Sequence, residues 1–183
     1  TFQIKVSSSD LAIRAPKRYI SANEILDGGV LHPLNSNEQD IVKQYLRDTA
    51  SREFQLMCYL SLFSGARIQT VCTIRVFNIK ELKKKNPDKF DDSYSLKVGK
   101  GTFIDTKNGT QQILKIPSWL VDELTAYSNS QVWKNRAKLS YYGVSDNNYL
   151  FLTSRGAAYY TSLREIEDRL ISKSIRGFRN SRG

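Results

Sequence analysis

The feature that most constrains the fold is a run of alternating residues near the middle of the chain. Apolar and polar side chains alternate over residues 94–98, 102–106 and 111–116. Gly99-Lys100-Gly101 separates the first pair of segments and Asn108-Gly109 the second. A period of two marks a strand with one buried face. Asn-Gly between two such runs is the strongest short hairpin signal, because both turn residues must adopt positive φ. Strands joined by connections this short pair antiparallel, whereas parallel strands need crossovers of a dozen residues or more. The stretch predicts a three-stranded antiparallel meander.

Helical patterns flank the meander. Ser36-Asn37-Glu38-Gln39 reads as a capping box ahead of Ile41, Val42, Tyr45 and Leu46 at helical spacing. Ser51 caps a second helix whose Phe54, Leu56, Met57, Leu60 and Phe63 are apolar nearly all round, the mark of a central helix. Gly65 stops it. A short third helix covers about 66–74, with Ile68, Val71 and Cys72 on one side. Residues 80–92 are polar and read as a solvated helix end and loop. Pro117-Ser118 opens a helix with Leu120, Val121 and Leu124 inward. Residues 128–148 form a polar loop with a helical piece near 133–139, and 149–153 are a short strand or extended run. Residues 162–172 are amphipathic, with Leu163, Ile166 and Leu170 on one face. Helices, a small sheet and helices again make an α+β domain, here from residue 31 to the end. Residues 1–30, broken by Ser7-Ser8-Ser9, Pro16 and Gly28-Gly29, read as a linker or arm. The alternative there is an edge strand over 2–6.

Charge narrows the partners. Lys+Arg number 28 against 18 Asp+Glu, a net +10. That excess favours a polyanion such as DNA, RNA or an anionic membrane surface. No stretch reaches the ~20 apolar residues of a membrane span, and no signal peptide is evident. The two cysteines, Cys58 and Cys72, sit in apolar runs and read as buried small hydrophobes. They make neither a disulfide framework nor a metal site, and they suit the cytoplasm. Both ends read as cut from a longer chain.

Two residues could carry chemistry. Arg67, in Ser64-Gly65-Ala66-Arg67-Ile68, stands where a helix begins. A guanidinium there can fork two phosphate oxygens, aided by the helix dipole; the ordinary fate of an arginine is a surface ion pair. Lys107 stands at the Asn108-Gly109 turn, where a long side chain projects from a β-ribbon. Such a lysine can protonate a departing alkoxide or hold a phosphate, and it can equally be a solvated turn lysine. Lys97 and Lys100 flank the first turn and compete with it.

The stretch 62–71, Leu-Phe-Ser-Gly-Ala-Arg-Ile-Gln-Thr-Val, resembles the first arginine box of tyrosine recombinases of the phage-integrase type. Residues 104–109, followed by Leu114-Lys115-Ile116-Pro117, are similar to the hairpin that carries their catalytic lysine. His32-Pro33-Leu34 through Glu38 resembles the opening of their catalytic domain, and 149–156 with Tyr159-Tyr160 a segment of the integrase branch. The resemblance spans about 31–170. It implies a mainly helical catalytic domain that cuts one DNA strand through a 3′-phosphotyrosine and rejoins it to a partner strand. No metal or nucleotide cofactor is implied, because the covalent link stores the phosphate's energy. Arg67 would hold the non-bridging oxygens of the scissile phosphate, and Lys107 would protonate the leaving 5′-oxygen. Duplex DNA would also meet Lys97, Lys100 and the arm residues Arg14, Lys17 and Arg18. The family acts as a tetramer on DNA.

The departures from the pattern are specific. The family's His-x-x-Arg box does not occur, and the one histidine, His32, stands before the first box. The nucleophilic tyrosine belongs after that box, so Tyr159 and Tyr160 read as packing or DNA-facing aromatics. Thr70 stands where many members carry an acidic residue. The expectation is therefore an enzyme fragment, inactive alone, with a non-catalytic DNA-binding module as the alternative.

Overall fold

The computed structural model describes residues 34–172 of the 183-residue chain. Arg14, Lys17, Arg18, His32 and the edge strand considered over 2–6 lie outside the described residues. The chain divides into two compact units, Thr1–Lys43 and Gln44–Gly183. In the first, the described residues hold the beginning of helix α1 (Ser36–Thr49). Its capping box stands one residue earlier than expected. Asn35 Oδ1 accepts from Glu38 N at 3.0 Å, and Glu38 Oε2 accepts from Asn35 N at 2.8 Å. Asn caps as well as Ser, and a carboxylate is a stronger acceptor than the glutamine amide one residue on.

The second unit is built on α2 (Arg52–Ser64), which carries the fully buried Leu56 and Leu60. Ser51 Oγ caps it by accepting from Phe54 N at 3.3 Å. Gly65 ends it in the left-handed region, φ 67°, with its N–H on Ser61 O at 3.0 Å. Glycine takes that conformation without the steric penalty a Cβ would bring. Two short helices follow, α3 (Ile68–Thr73) and α4 (Val76–Lys83). Strands β1 (Ser93–Val98) and β2 (Gln112–Pro117) pair antiparallel from Ser93↔Pro117 to Val98↔Gln112. Tyr94, Leu96, Val98, Leu114 and Ile116 face the core, as the alternation requires. Helix α5 (Ser118–Asn129) packs on α2, α4 and both strands, and α6 (Gln131–Ala137) packs on α5. Helix α7 (Leu163–Ile171) closes the described chain.

The sheet has two strands, not three. Residues 99–111 are a loop that joins β1 to β2. Within it Gly99 N donates to Ile104 O at 3.0 Å and Lys100 N to Gly109 O at 3.0 Å. Thr102 donates to Gly99 O from both its N–H (2.9 Å) and its hydroxyl (2.8 Å). Backbone groups that a middle strand would offer its neighbours are used up inside the loop. The alternation over 102–106 is real in burial, since Ile104 and Thr106 are buried, but it anchors a loop. At the neck, a Cβ on Gly99 would lie 2.2 Å from Thr110 O, so only glycine lets the two sides close.

Two further expectations change. Residues 148–152 lack regular structure yet are all buried, tied to the α3–α4 junction by Val76 N on Asn148 O (3.0 Å) and Leu150 N on Ile74 O (2.9 Å). Helix α7 turns Glu165 inward at 3% exposure and leaves Leu163 (67%), Leu170 (58%) and Ile171 (80%) outward. Its inner side chains are satisfied by polar groups: Glu165 pairs with Arg169 one turn on in the same helix, and Asp168 accepts from the Tyr142 hydroxyl at 2.8 Å. Among the described residues no helix is long and apolar enough to cross a membrane.

Candidate nucleic-acid interface

Arg67 is the residue before α3, with extended backbone (φ −70°, ψ 155°). The left-handed turn at Gly65 and the buried Ala66 set it outward, and its side chain is exposed. Among the described residues no carboxylate pairs with it. Thr70, three residues on, is buried and brings no charge. Helix α3 has only six residues, so few peptide dipoles add at its start. The guanidinium itself is the asset.

Lys107 opens a single 3-10 turn, Lys107–Gly109, at the tip of the β1–β2 loop. Asn108 (φ 60°) and Gly109 (φ 66°) both take left-handed backbone, as the Asn-Gly signal requires. Thr106, buried beneath, fixes the turn: its hydroxyl donates to Thr110 O at 2.7 Å and its carbonyl accepts from Gly109 N at 3.0 Å. Lys107 stands exposed above it, without a partner among the described residues. Lys97 is exposed on the outer face of β1, opposite the exposed Ile113. Lys100 is exposed in the loop.

The elements carrying Arg67 and Lys107 are joined by one bolt. At the far end of α3, Thr73 Oγ1 accepts from Asp105 N at 2.9 Å, two residues before Lys107. Asp105 Oδ2 then accepts from Leu163 N at 2.9 Å, fastening the same loop to the start of α7. Burial holds the Asp105 carboxyl above the usual aspartate range, although the Leu163 N–H and the Arg75 charge pull the other way.

Arg75 is the residue that sequence reasoning missed. It is 2% exposed and is the residue just before α4. Its Nη1 donates to Asn147 O, and its Nη2 donates to Ser162 Oγ at 3.0 Å. The Tyr142 and Tyr149 rings lie 4.7 and 4.9 Å from its guanidinium carbon. One arginine thus ties α4, the 147–149 run and the α7 start together. A cation in the middle of the apolar run Ile74-Arg75-Val76-Phe77 was the available signal. Arg136, half-buried against the buried Glu53 and donating to Leu152 O at 2.7 Å, is a second such tie.

Tyr142, Tyr149 and Tyr127 are not primed as nucleophiles. Burial pushes Tyr142 up to about 12, with Arg75 lowering and Asp168 raising it. Burial raises Tyr149 and Tyr127 further. Tyr159 is exposed and Tyr160 half-buried. Cys72 is buried with its thiol pushed up to about 11, and Cys58 is half-buried with its thiol raised for the same reason. Among the described residues no group of three or more His, Cys, Asp or Glu could hold a metal ion. No protein-family model, no curated protein and no solved structure matches this chain.

Proposed function

We propose that the chain is part of a DNA strand-transfer enzyme of the tyrosine-recombinase type and carries two of the groups that grip the scissile phosphate. The observation that supports this most is the pair of exposed cations, Arg67 and Lys107, each beside a left-handed turn and with no side-chain partner among the described residues. They stand on elements bolted together through Thr73 and Asp105. Solvated surface cations usually stand on flexible stems. Here both backbones are fixed by buried neighbours, Ala66 and Thr106. Arg67 would neutralise the non-bridging oxygens, and Lys107 would deliver the proton to the 5′-oxygen. Lys97 and Lys100 would add contacts to flanking phosphates. The tyrosine nucleophile and the second arginine would come from elsewhere in the full protein, acting as a tetramer on DNA in the cytoplasm.

A second reading, a DNA-gripping module without catalysis, is favoured by one observation: no carboxylate orients Arg67 among the described residues. A nicked suicide substrate separates the two. The full protein is expected to form a covalent 3′-phosphotyrosyl adduct that Arg67→Ala abolishes, and this chain alone to form none. Salt-dependent duplex binding without any adduct from the full protein would leave only the second reading. Absence of duplex binding at low salt would end both.

A further inference from the structure

We infer that Asn108 is a site of slow, self-catalysed deamidation, timed by the opening of the Lys107–Gly109 turn, whose product sets a carboxylate beside Lys107. Asn108-Gly109 is the one Asn-Gly pair of the chain. Asparagine is among the thermolabile residues, and a following glycine leaves its own nitrogen unshielded, because it has no Cβ. In the reaction the Gly109 nitrogen bonds to Asn108 Cγ, and the bond from Cγ to the side-chain nitrogen breaks. Ammonia leaves with the Gly109 amide proton, and a five-membered succinimide remains. Water then opens the ring. Attack at Cγ restores the ordinary chain with aspartate; attack at the backbone carbonyl leaves isoaspartate, with the chain running through Cγ. Water is the only co-reactant.

The turn both exposes and restrains the reacting atoms. Lys107, Asn108, Gly109 and Thr110 are all exposed, so water reaches them. The Asn108 side-chain amide has no hydrogen-bond partner among the described residues, and a Cβ built on Gly109 would meet nothing within 4 Å. Against that, Asn108 stands at φ 60°, ψ 20°. At this ψ the Gly109 nitrogen nearly eclipses the Asn108 nitrogen and points away from Cβ, so Cγ is out of its reach. The Gly109 N–H donates to Thr106 O at 3.0 Å, which holds the proton that the reaction must remove. The Thr106 hydroxyl on Thr110 O at 2.7 Å and the Thr110 hydroxyl on Lys107 O at 3.2 Å keep the same geometry. Asn108 therefore reacts only in the fraction of molecules whose turn has opened. The product carries a charge that Asn108 lacked, since an aspartate ionises near ~3.9. In isoaspartate the lengthened main chain also shifts the turn. The effect on DNA rests on the role proposed for Lys107: an anion one residue away opposes the phosphate.

The test is incubation of this chain at mildly alkaline pH, in buffer and in urea, followed by peptide mapping in a mass spectrometer. Conversion at Asn108 is expected in buffer, about tenfold slower than in urea. It is expected to vanish in Asn108→Gln, whose longer side chain would have to close a six-membered ring. Thr106→Ala, which removes one bond holding the turn, is expected to speed conversion in buffer about threefold and to leave the urea rate unchanged. If that variant does not fold, Thr110→Ala carries the same test. Overturning results are an Asn108 that stays intact in buffer while converting in urea, equal rates in the two, or a buffer rate unmoved by the loosened turn. Asn108→Asp, one of the two products, is expected to bind duplex DNA about threefold more weakly at low salt than the unconverted protein. Equal binding would overturn the charge effect and weigh against Lys107 in the proposed function, with the deamidation still standing. An unconverted Asn108 would overturn the deamidation and leave the role of Lys107 untouched, so either idea can fail alone.

Discussion

Arg67 and Arg75 hold the same local position eight residues apart and meet opposite fates. Each is the extended residue before a short helix, at ψ 155° and ψ 159°. Neither position alone determines what the side chain does. Before Arg67 the chain makes a left-handed turn at Gly65, after which Ala66 is buried and Arg67 and Ile68 are exposed. Before Arg75 the buried run Thr70–Ile74 enters the core, and Tyr149 pairs back onto the Arg75 backbone as a bridge. The buried guanidinium is covered by two aromatic rings and held by hydrogen bonds to two separate segments. The exposed one has no partner among the described residues. An arginine that holds a fold together and one free to grip a ligand differ in their surroundings, not in their sequence positions.

The largest expected effect tests the buried half of this contrast. Arg75→Ala should destabilise the domain by about 2–5 kcal/mol, because it removes the guanidinium bonds to Asn147 O and Ser162 Oγ and opens a void beneath two tyrosines. Arg75→Lys should recover little, since an ammonium cannot span both partners from one plane. Urea denaturation measures both; a loss below about 1 kcal/mol would show that the network contributes little. Arg67→Ala should do the reverse. Stability should stay within about 1 kcal/mol, while duplex affinity falls and the log–log salt slope drops by about 0.9. An Arg67→Ala protein that unfolds would make the two arginines alike and remove Arg67 from the proposed site.

Lys107 sharpens the exposed half. In the full enzyme Lys107→Ala should slow cleavage, and a 5′-thiol leaving group, which needs no proton, should largely restore the rate. A variant that is slow on both substrates would assign Lys107 to phosphate binding instead. The smallest effect concerns Asp105, which touches both halves: its N–H holds the Lys107 loop to α3, and its charge senses Arg75. Its carboxyl is raised in the folded state. The folded protein therefore binds more protons than the unfolded chain between the ordinary aspartate value near ~3.9 and the raised one. Through that window this residue's contribution grows less stabilising as pH rises. Asp105→Asn keeps an acceptor for Leu163 N and should flatten that part of the profile. An identical pH profile for both proteins, followed by thermal melts, would show that the Asp105 charge has no part in it.

Local chemistry made much of the molecule legible in the sequence. Ser51 and Gly65 bounded α2, Asn108-Gly109 gave its left-handed turn, and alternation gave the buried faces of β1 and β2, because caps, positive φ and period-two burial depend on residues close along the chain. Arg67 and Lys107 were singled out for the same reason: each sits beside a glycine-marked turn. Residues 102–106 became a loop rather than a strand, because a pattern of burial does not say which backbone groups will pair, and here Thr102, Gly99 and Gly109 satisfied one another first. The burial of the irregular run 148–152 and the enclosure of Arg75 depend on partners some 70 to 90 residues away, and the inner face of α7 meets Tyr142, 26 residues before Asp168. No local pattern records such partners. They are fixed when the chain closes on itself, since a buried guanidinium becomes tolerable only once distant carbonyls, hydroxyls and rings converge on it.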